Sequence, residues 1–468
     1  MTHPSAASKH DLPSWDAWRE LVEKSVGENG LAALTSQTAD HIALSPLYPP
    51  AEPSGELSRP DHKTWTVSPR IDHPSIVGAA EQLVTELEGG ASGATLICQD
   101  SPDAHGYGFD PGNPSELLKP VLADAVRLTL LPSPTRIRDA RALAQVLDGH
   151  PPHNRTVIVD FGLDAPGLFA STGALRDAVL KGQQRHFSEL DRFGFAGTIF
   201  RADGRVIHEA GGTPAQELAF VLASLVFMMR ATDDPQKALE KTLIGVCVDA
   251  DQFAGIAKLR AMRALHARLL EVCKAEGVEA TIHATSSFRM LTRKDPNVNI
   301  LRNTTAVFAA SVGGADIITS LPHTMALGYS DAFARRLARN VQLILASESN
   351  LYRVADPAAG SGLYESYTNA LCDKAWAFFQ AIEERGGVIH ALKSGFIQEA
   401  VGKARQALQS AIVSGERKLT GSTVFPLTEE YPITLLDIEP RPSPEKKGAE
   451  HECQRLVQMH LEPQDESA

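Results

Sequence analysis

One stretch limits the possible folds more than any other: residues 283–340, HATSSFRMLTRKDPNVNILRNTTAVFAASVGGADIITSLPHTMALGYSDAFARRLARN. It opens where the apolar run 280–282 gives way to small hydroxylated residues, as a buried parallel strand does on ending in a functional loop. A helical pattern follows, with Val298, Leu301, Ala306 and Ala310 in its apolar positions, then Gly313-Gly314, then a second strand over 315–319. A second loop leads to a second helix, marked by Phe333, Leu337 and Val341. Strand, loop and helix, twice over, form the repeating unit of a parallel α/β fold.

The alternation starts near Trp65. Strands are expected at 94–98, 125–131, 155–160, 195–200, 243–249, 278–284, 315–319 and 352–355. Helices are expected at 75–88, 137–147, 173–190, 214–230, 251–275, 298–311, 331–347 and 367–385, with more helix over 398–415. Eight strands spaced by helices predict an α/β fold of the (β/α)8 TIM barrel kind. Before it lies an arm, residues 1–60. In the arm Ser14 is placed to cap a helix through Val26, and a short strand at 41–44 runs into Pro-rich coil. With no core of its own, the arm is expected to lie on another surface, and Trp15 and Trp18 on one helix face point to a partner interface. The barrel with its trailing helices takes 61–436, and 437–468 reads as a polar, disordered tail.

Composition narrows the function class. A net charge of −12 argues against nucleic acid, whose phosphates call for clustered Lys and Arg. Five scattered cysteines without CxxC spacing suggest reduced thiols in a cytoplasmic compartment and no metal site. No apolar run reaches membrane-spanning length, and the first residues lack the apolar segment of a signal peptide, so no membrane role is expected.

Four pieces stand out by their order and spacing: LT-x-x-D at 291–295, the Asn299 and Arg302 pair, RxARN at 336–340, and DPAAGSGLYES at 356–366. On them the chain resembles the methylmalonyl-CoA mutase family, the adenosylcobalamin-dependent acyl-CoA mutases, from about Trp15 to about Pro426. In the arm, Leu34, Thr35, Thr38, Asp40, His41, Ile42 and Pro46-Leu47-Tyr48 resemble the segment with which the family's small subunit embraces the large one. The resemblance implies a partner, the homologous large catalytic subunit of a heterodimer, which binds the adenosylcobalamin; no cofactor is expected in this chain. Catalytic members carry a flavodoxin-like cobalamin domain with a D-x-H-x-x-G signature, and the 68 residues after position 400 are too few for it. The literal match at 103–108, centred on His105, falls after the first barrel strand and is expected to be a loop of the barrel face.

Catalytic members also polarise the thioester carbonyl with a Tyr and a His. Aligned on Glu209-Ala210-Gly211, the family His position is Val206, and the Tyr position falls near Arg70. His208 is two residues away, about 6–7 Å along a strand, too far to substitute. The acid that ends the adenosyl-facing run stands as Met325. The resemblance therefore implies the small subunit, probing no chemistry of its own, of a mutase that interconverts (R)-methylmalonyl-CoA and succinyl-CoA. The alternative is the acyl-CoA-binding catalytic subunit of a split, isobutyryl-CoA-type mutase; a free-standing assembly factor is a third.

Candidate residues for a degenerate pocket are His283, Ser286, Ser287 and Arg289, at the end of a strand where TIM-barrel sites lie. The plainer reading makes them hydrogen bonds that close the barrel mouth. Arg289, Arg293 and Lys294 could meet a phosphate, or form an exposed basic loop. Gly89-Gly90 follows a helix and precedes a strand, the reverse of a phosphate cradle, and is expected to end that helix. Phe227, Met228 and Met229 are expected to pack in a core or interface.

Overall fold

The computed structural model describes residues 14–27, 30–55, 57–59, 63–112, 114–119, 126–133, 137–149, 157–429, 431–442 and 449–463. Parts of the expected strands at 125–131 and 155–160 lie outside them, as do the ends of the arm and of the tail.

Nine short strands run parallel in two sheets. They are β1 (Thr66–Val67), β2 (Arg70–Ile71), β3 (Gly93–Ile97), β4 (Arg127–Leu131), β5 (Ile158–Asp160), β6 (Phe200–Asp203), β7 (Thr242–Val248), β8 (Thr281–Ser286) and β9 (Ile317–Thr319). The five-stranded sheet has the order β1-β9-β8-β7-β6 and the four-stranded sheet β2-β3-β4-β5. The longest ladder pairs Leu243 with Thr281 and Val248 with Ser286. All seven residues of β7 and all five of β3 are buried, as befits strands covered on both faces. Helices cover the sheets; the helix Pro214–Arg230 packs against both Gln252–Cys273 and Gly362–Glu384. Its start carries a complete capping box of Thr213 and Gln216, with Pro at the first turn.

The architecture is mixed α/β with parallel sheets, and the expected single closed barrel is not seen as one continuous ladder. The reasons are local. β1 and β2 belong to one extended segment, interrupted at Pro69, which has no N–H to donate. Ser68 still donates to Ile318 on one side, while the Pro69 carbonyl accepts from Thr95 on the other. At the opposite flank β5 meets the segment before β6 through Val159 N–H to Ala196, Thr198 N–H to Val159 and Phe161 N–H to Thr198. Thr198 also reaches the buried Asp160 carboxylate, which binds Arg127 and Thr129 on β4. Gly197 makes this approach possible: at φ +103°, a Cβ there would sit 2.3 Å from the Val159 carbonyl oxygen.

Several expectations are corrected. The first strand, 66–71, was not foreseen, and 352–355 is not a strand; Leu351–Arg353 is a turn of 3-10 helix. The strand expected at 195–200 pairs as β6 further on. The helix expected over 173–190 is two pieces, Asp177–Leu180 and Gln183–Asp191, preceded by a separate helix, Ala165–Thr172, which Gly173 ends in the left-handed conformation. The tail read as polar and disordered is packed over its described part. His451–Glu452 pairs with Ala174–Leu175, and Leu456, Met459 and Leu461 are buried. Residues 449–463 thus form a strap across the ends of the strands.

Gly89 ends its helix as expected, and Ser14 caps the first helix through Ala17. That helix, Trp15–Val26, buries none of its residues; Trp15 and Trp18 stack at 5.0 Å, and Leu21 is exposed. Among the described residues no helix is long and apolar enough to cross a membrane, and all five cysteines are free thiols.

Candidate functional site

The C-terminal ends of the strands converge on a mouth where functional groups of parallel α/β folds collect. Its floor is a charged lattice on β6 and the turn after it. Arg201 donates to Asp203 at 2.7 Å, and Arg205 binds both Asp203 and Asp103, the latter at 3.0 Å. Burial alone would raise the Asp203 carboxyl, but Arg201 and Arg205 hold it well below the usual range. On the other flank Asp72 joins Arg70 and Arg335.

The four pocket candidates are brought to this mouth, and all four face inward. His283 lies within β8, its Nδ1 3.1 Å from Arg201 and its Nε2 2.8 Å from Thr319 Oγ1. Burial and the Arg201 and Arg205 charges push its pKa well below normal, so it is a neutral link in the lattice. Ser286 accepts from the Leu321 N–H at 2.8 Å. Ser287 Oγ is 2.9 Å from His208 Nε2. Arg289 donates to the carbonyls of His208 and Gly212 and lies 3.7 Å from Asp249. Arg289 is thus buried rather than part of an exposed basic loop.

Residues 205–209 form a helical turn, Arg205–Glu209, rather than the strand assumed for the comparison of His208 with Val206. In a helix two residues differ by roughly 200° in direction. Val206 accordingly faces a side chamber, whereas His208 is buried against Ser287 and lies 3.6 Å from Glu217. Burial, with Arg289 and Lys258 nearby, keeps His208 neutral. Glu209 accepts from the backbone N–H groups of Phe288 and Arg289 at 2.9 and 2.8 Å and from the Cys247 thiol at 3.2 Å. His208, Glu209 and Cys247 place donor atoms of metal-ligand type within 4.8 Å of one another. Each already serves a protein partner, and burial and the two neighbouring glutamates push the Cys247 thiol well above its ordinary range.

Two cavities open at the mouth. The central one, bordered by Arg70, His105, Arg205, Glu209, Cys247 and Ser286, holds about 30 Å³. The lateral one holds about 180 Å³ and lies between the ends of β4, β5 and β6 and the strap. Arg455, Leu456 and Gln458 of the strap form part of its wall.

Adenosylcobalamin does not fit these residues. A lower cobalt ligand has to project freely, yet the His105 ring stacks on Phe288 at 4.2 Å, with His460 of the strap 5.1 Å beyond. Burial and Arg70 push the His105 pKa down to about 3. Neither cavity approaches the size of a corrin.

The sequence motifs that carried the resemblance turn out to be structural ties. Thr292 donates its N–H to Asn299 Oδ1, Asn299 donates to Thr292 and His323, and Arg302 binds Thr292 and Asn299 at 2.8 and 2.7 Å. Arg260 holds both Asp356 and Glu365, which in turn accept from Leu57 and Ser54 of the arm. Arg339 binds Glu86 at 2.8 Å. The residues missed by sequence reasoning are Asp103, Asp164, Arg201 and Asp203. The signal was present in FRADGR, where charges alternate along a run that enters the core.

Taken together, these features define a parallel α/β scaffold of ligand-binding type whose mouth is filled by its own side chains and strap. The methylmalonyl-CoA mutase family model matches residues 198–465, more than half of the chain and including the strap. A methylmalonyl-CoA mutase small subunit of Streptomyces virginiae is 33% identical over 94% of this chain and 74% of its own length. The small subunit of Propionibacterium freudenreichii subsp. shermanii is 30% identical over 89% of this chain and 67% of its own. A methylmalonyl-CoA mutase of Rhizobium meliloti is 33% identical over 50% of this chain and 34% of its own. The chain belongs to the methylmalonyl-CoA mutase family.

Proposed function

We propose that this chain is the structural small subunit of a heterodimeric methylmalonyl-CoA mutase, in which a homologous large subunit binds adenosylcobalamin and performs the isomerisation. One observation carries the reading. The central void of about 30 Å³ has room for a water or two, whereas sites for small molecules span roughly 300–1,000 Å³. An acyl thioester does not fit into that central void. The chemistry of the two family positions agrees: Val206, which faces the lateral chamber, can neither donate a hydrogen bond nor carry charge, and Arg70, beside the central void, is committed to Asp72. The two sheets are read as one eight-stranded barrel, β1 and β2 being a single strand and the contacts from β5 to 196–201 closing the other side. The exposed Trp15–Val26 helix is read as the part that embraces the large subunit. Five free thiols fit a cytoplasmic, reducing setting.

The test is co-expression with a large mutase subunit, followed by sizing and a methylmalonyl-CoA assay with and without adenosylcobalamin. A one-to-one complex whose turnover is unchanged by Val206→Ala supports the reading. Turnover by this chain with only a separate cobalamin-binding subunit overturns it.

A further inference from the structure

A helix on the surface of a soluble protein turns polar, usually charged, residues to solvent, and a helix without them is covered by something. The helix Val298–Val312 reads VNILRNTTAVFAASV and holds one charged residue, Arg302. That guanidinium turns inward, to Thr292 and Asn299. Outward the helix shows Leu301, Thr305, Phe308 and Val312, whose spacing sets them on one face. Leu301 is 67% exposed, and the other three are half-buried. Neighbouring helices differ: Gln252–Cys273 exposes Arg268 and Glu271, and Gly362–Glu384 exposes Asp373 and Lys374.

The apolar surface continues on both sides. Phe253, 47% exposed, lies 6.0 Å from the ring of Tyr364, which shares one cluster with Phe308 and Val312. On the other side the helix Ala332–Ser347 packs alongside and leaves Phe333 and Ile344 exposed. A helix of 15 residues is ~22 Å long, and three helices abreast are about 25–30 Å wide, so the face covers roughly 600 Å². That is at the upper end for an apolar patch on a monomer, about 300–600 Å², and near the ~800 Å² that each partner gives to a stable interface.

The arm indicates what covers it. Arg59 donates to the carbonyls of Ser311 and Ala315, each at 3.0 Å, at the end of this helix. Ala51 donates to Gly360, and Ser54 and Leu57 donate to Glu365 and Asp356. The arm is thus fastened along the edge of the charge-free face. Toward the N-terminus it runs on to the Trp15–Val26 helix, none of whose residues is buried. A partner held by the arm lies against the edge to which the arm is tied.

We propose that the helix Val298–Val312, with Phe253 and Phe333 at its flanks, is the core of the surface on which the homologous large subunit docks, the arm closing over its edge. The inference rests on the heterodimer reading given above and adds to it the part of this chain that pairing buries.

For the experiment the full chain is titrated with a large mutase subunit, and mass photometry reads the paired fraction. Leu301→Asp and Thr305→Arg each place a charge at the centre of the face, where pairing would strip its water. Each should weaken pairing at least about tenfold, while circular dichroism melts of the lone chain stay unchanged. Val413→Asp changes an exposed apolar residue on another helix, Phe396–Val413, and should pair as the parent does. Hydrogen exchange on the unmodified pair needs no variant: peptides within 298–312 should slow on pairing. Parental affinity in either charged variant, or unchanged exchange over 298–312, overturns this inference and leaves the heterodimer standing. Failure of the unmodified chain to pair overturns the heterodimer reading and this inference with it. Self-association of the lone chain that both charged variants abolish also overturns it, and gives the face to a second copy.

Discussion

The helix Pro214–Arg230 is fixed to its neighbours by one buried carboxylate, and removing it gives a sharp test of how the interior is held. Glu217 accepts from Lys258 Nζ at 2.6 Å and, through its other oxygen, from the Cys247 N–H at 2.6 Å. The Glu217 side chain is 0% and that of Lys258 4% exposed. Glu217→Leu leaves an ammonium without a counter-charge in the core, a loss of about 3–5 kcal/mol. It also orphans the Cys247 N–H, at about 1–3 kcal/mol. Against a total stability of roughly 5–15 kcal/mol, the single variant should be at the edge of unfolding at 25 °C. Adding Lys258→Met removes the stranded charge. Since replacing a buried ion pair with apolar groups is often neutral, the double variant should recover about 3–5 kcal/mol and keep only the cost of the orphaned N–H. Urea unfolding followed by tryptophan fluorescence measures Glu217→Leu, Lys258→Met, the double variant and the parent in one cycle. A double variant no more stable than Glu217→Leu would refute the reasoning, because the stranded charge would then not be what costs the stability.

Three further outcomes are expected. Gly197→Ala places a Cβ 2.3 Å from the Val159 carbonyl oxygen at φ +103°, so it should lose well over the ~1–3 kcal/mol of backbone strain alone and yield little folded protein on expression. Arg260→Met strands Asp356 and Glu365, costs about 3–5 kcal/mol, and should make 51–59 the first site of limited proteolysis, read by mass spectrometry. Asp164 keeps its proton up to about pH 8 when folded and releases it near 3.8 when unfolded. In that window the folded chain binds more protons, so its contribution to stability falls as pH rises and levels off above pH 8. Asp164→Asn should flatten that part of the curve in pH-dependent melts.

Most of the α/β alternation was legible because buried parallel strands announce themselves as apolar runs; TLIGVCV over β7 could hardly be anything else. What failed did so for physical reasons. The first strand, TVSPRI, carries a proline and a charge, so it reads as coil, and only its neighbours on both sides make it a strand. The segment 352–355 looked like a strand because Tyr352 and Val354 have β propensity, which tertiary context overrides. Of the site, the 283–289 run was expected at a strand end, and it lies there. The lattice of Arg201, Asp203, Arg205 and Asp103 was not foreseen as a whole, since Asp103 lies 102 residues from Arg205 and meets it only when the strand ends converge. The strap was misread for a related reason. Its composition is polar, and the few apolar residues that anchor it, Leu456, Met459 and Leu461, are too widely spaced to form a pattern.

The strap also sets an order of events during synthesis. Its backbone bonds go to Gly173, Ala170, Glu209 and Arg289, on helices and turns that follow strands of both sheets. Those segments leave the ribosome hundreds of residues before 449–463, at a pace of some 5–20 residues per second. For tens of seconds the nascent chain therefore exposes an unroofed mouth with a charged lattice at its floor. The mouth stays open to solvent until the strap arrives to cover it.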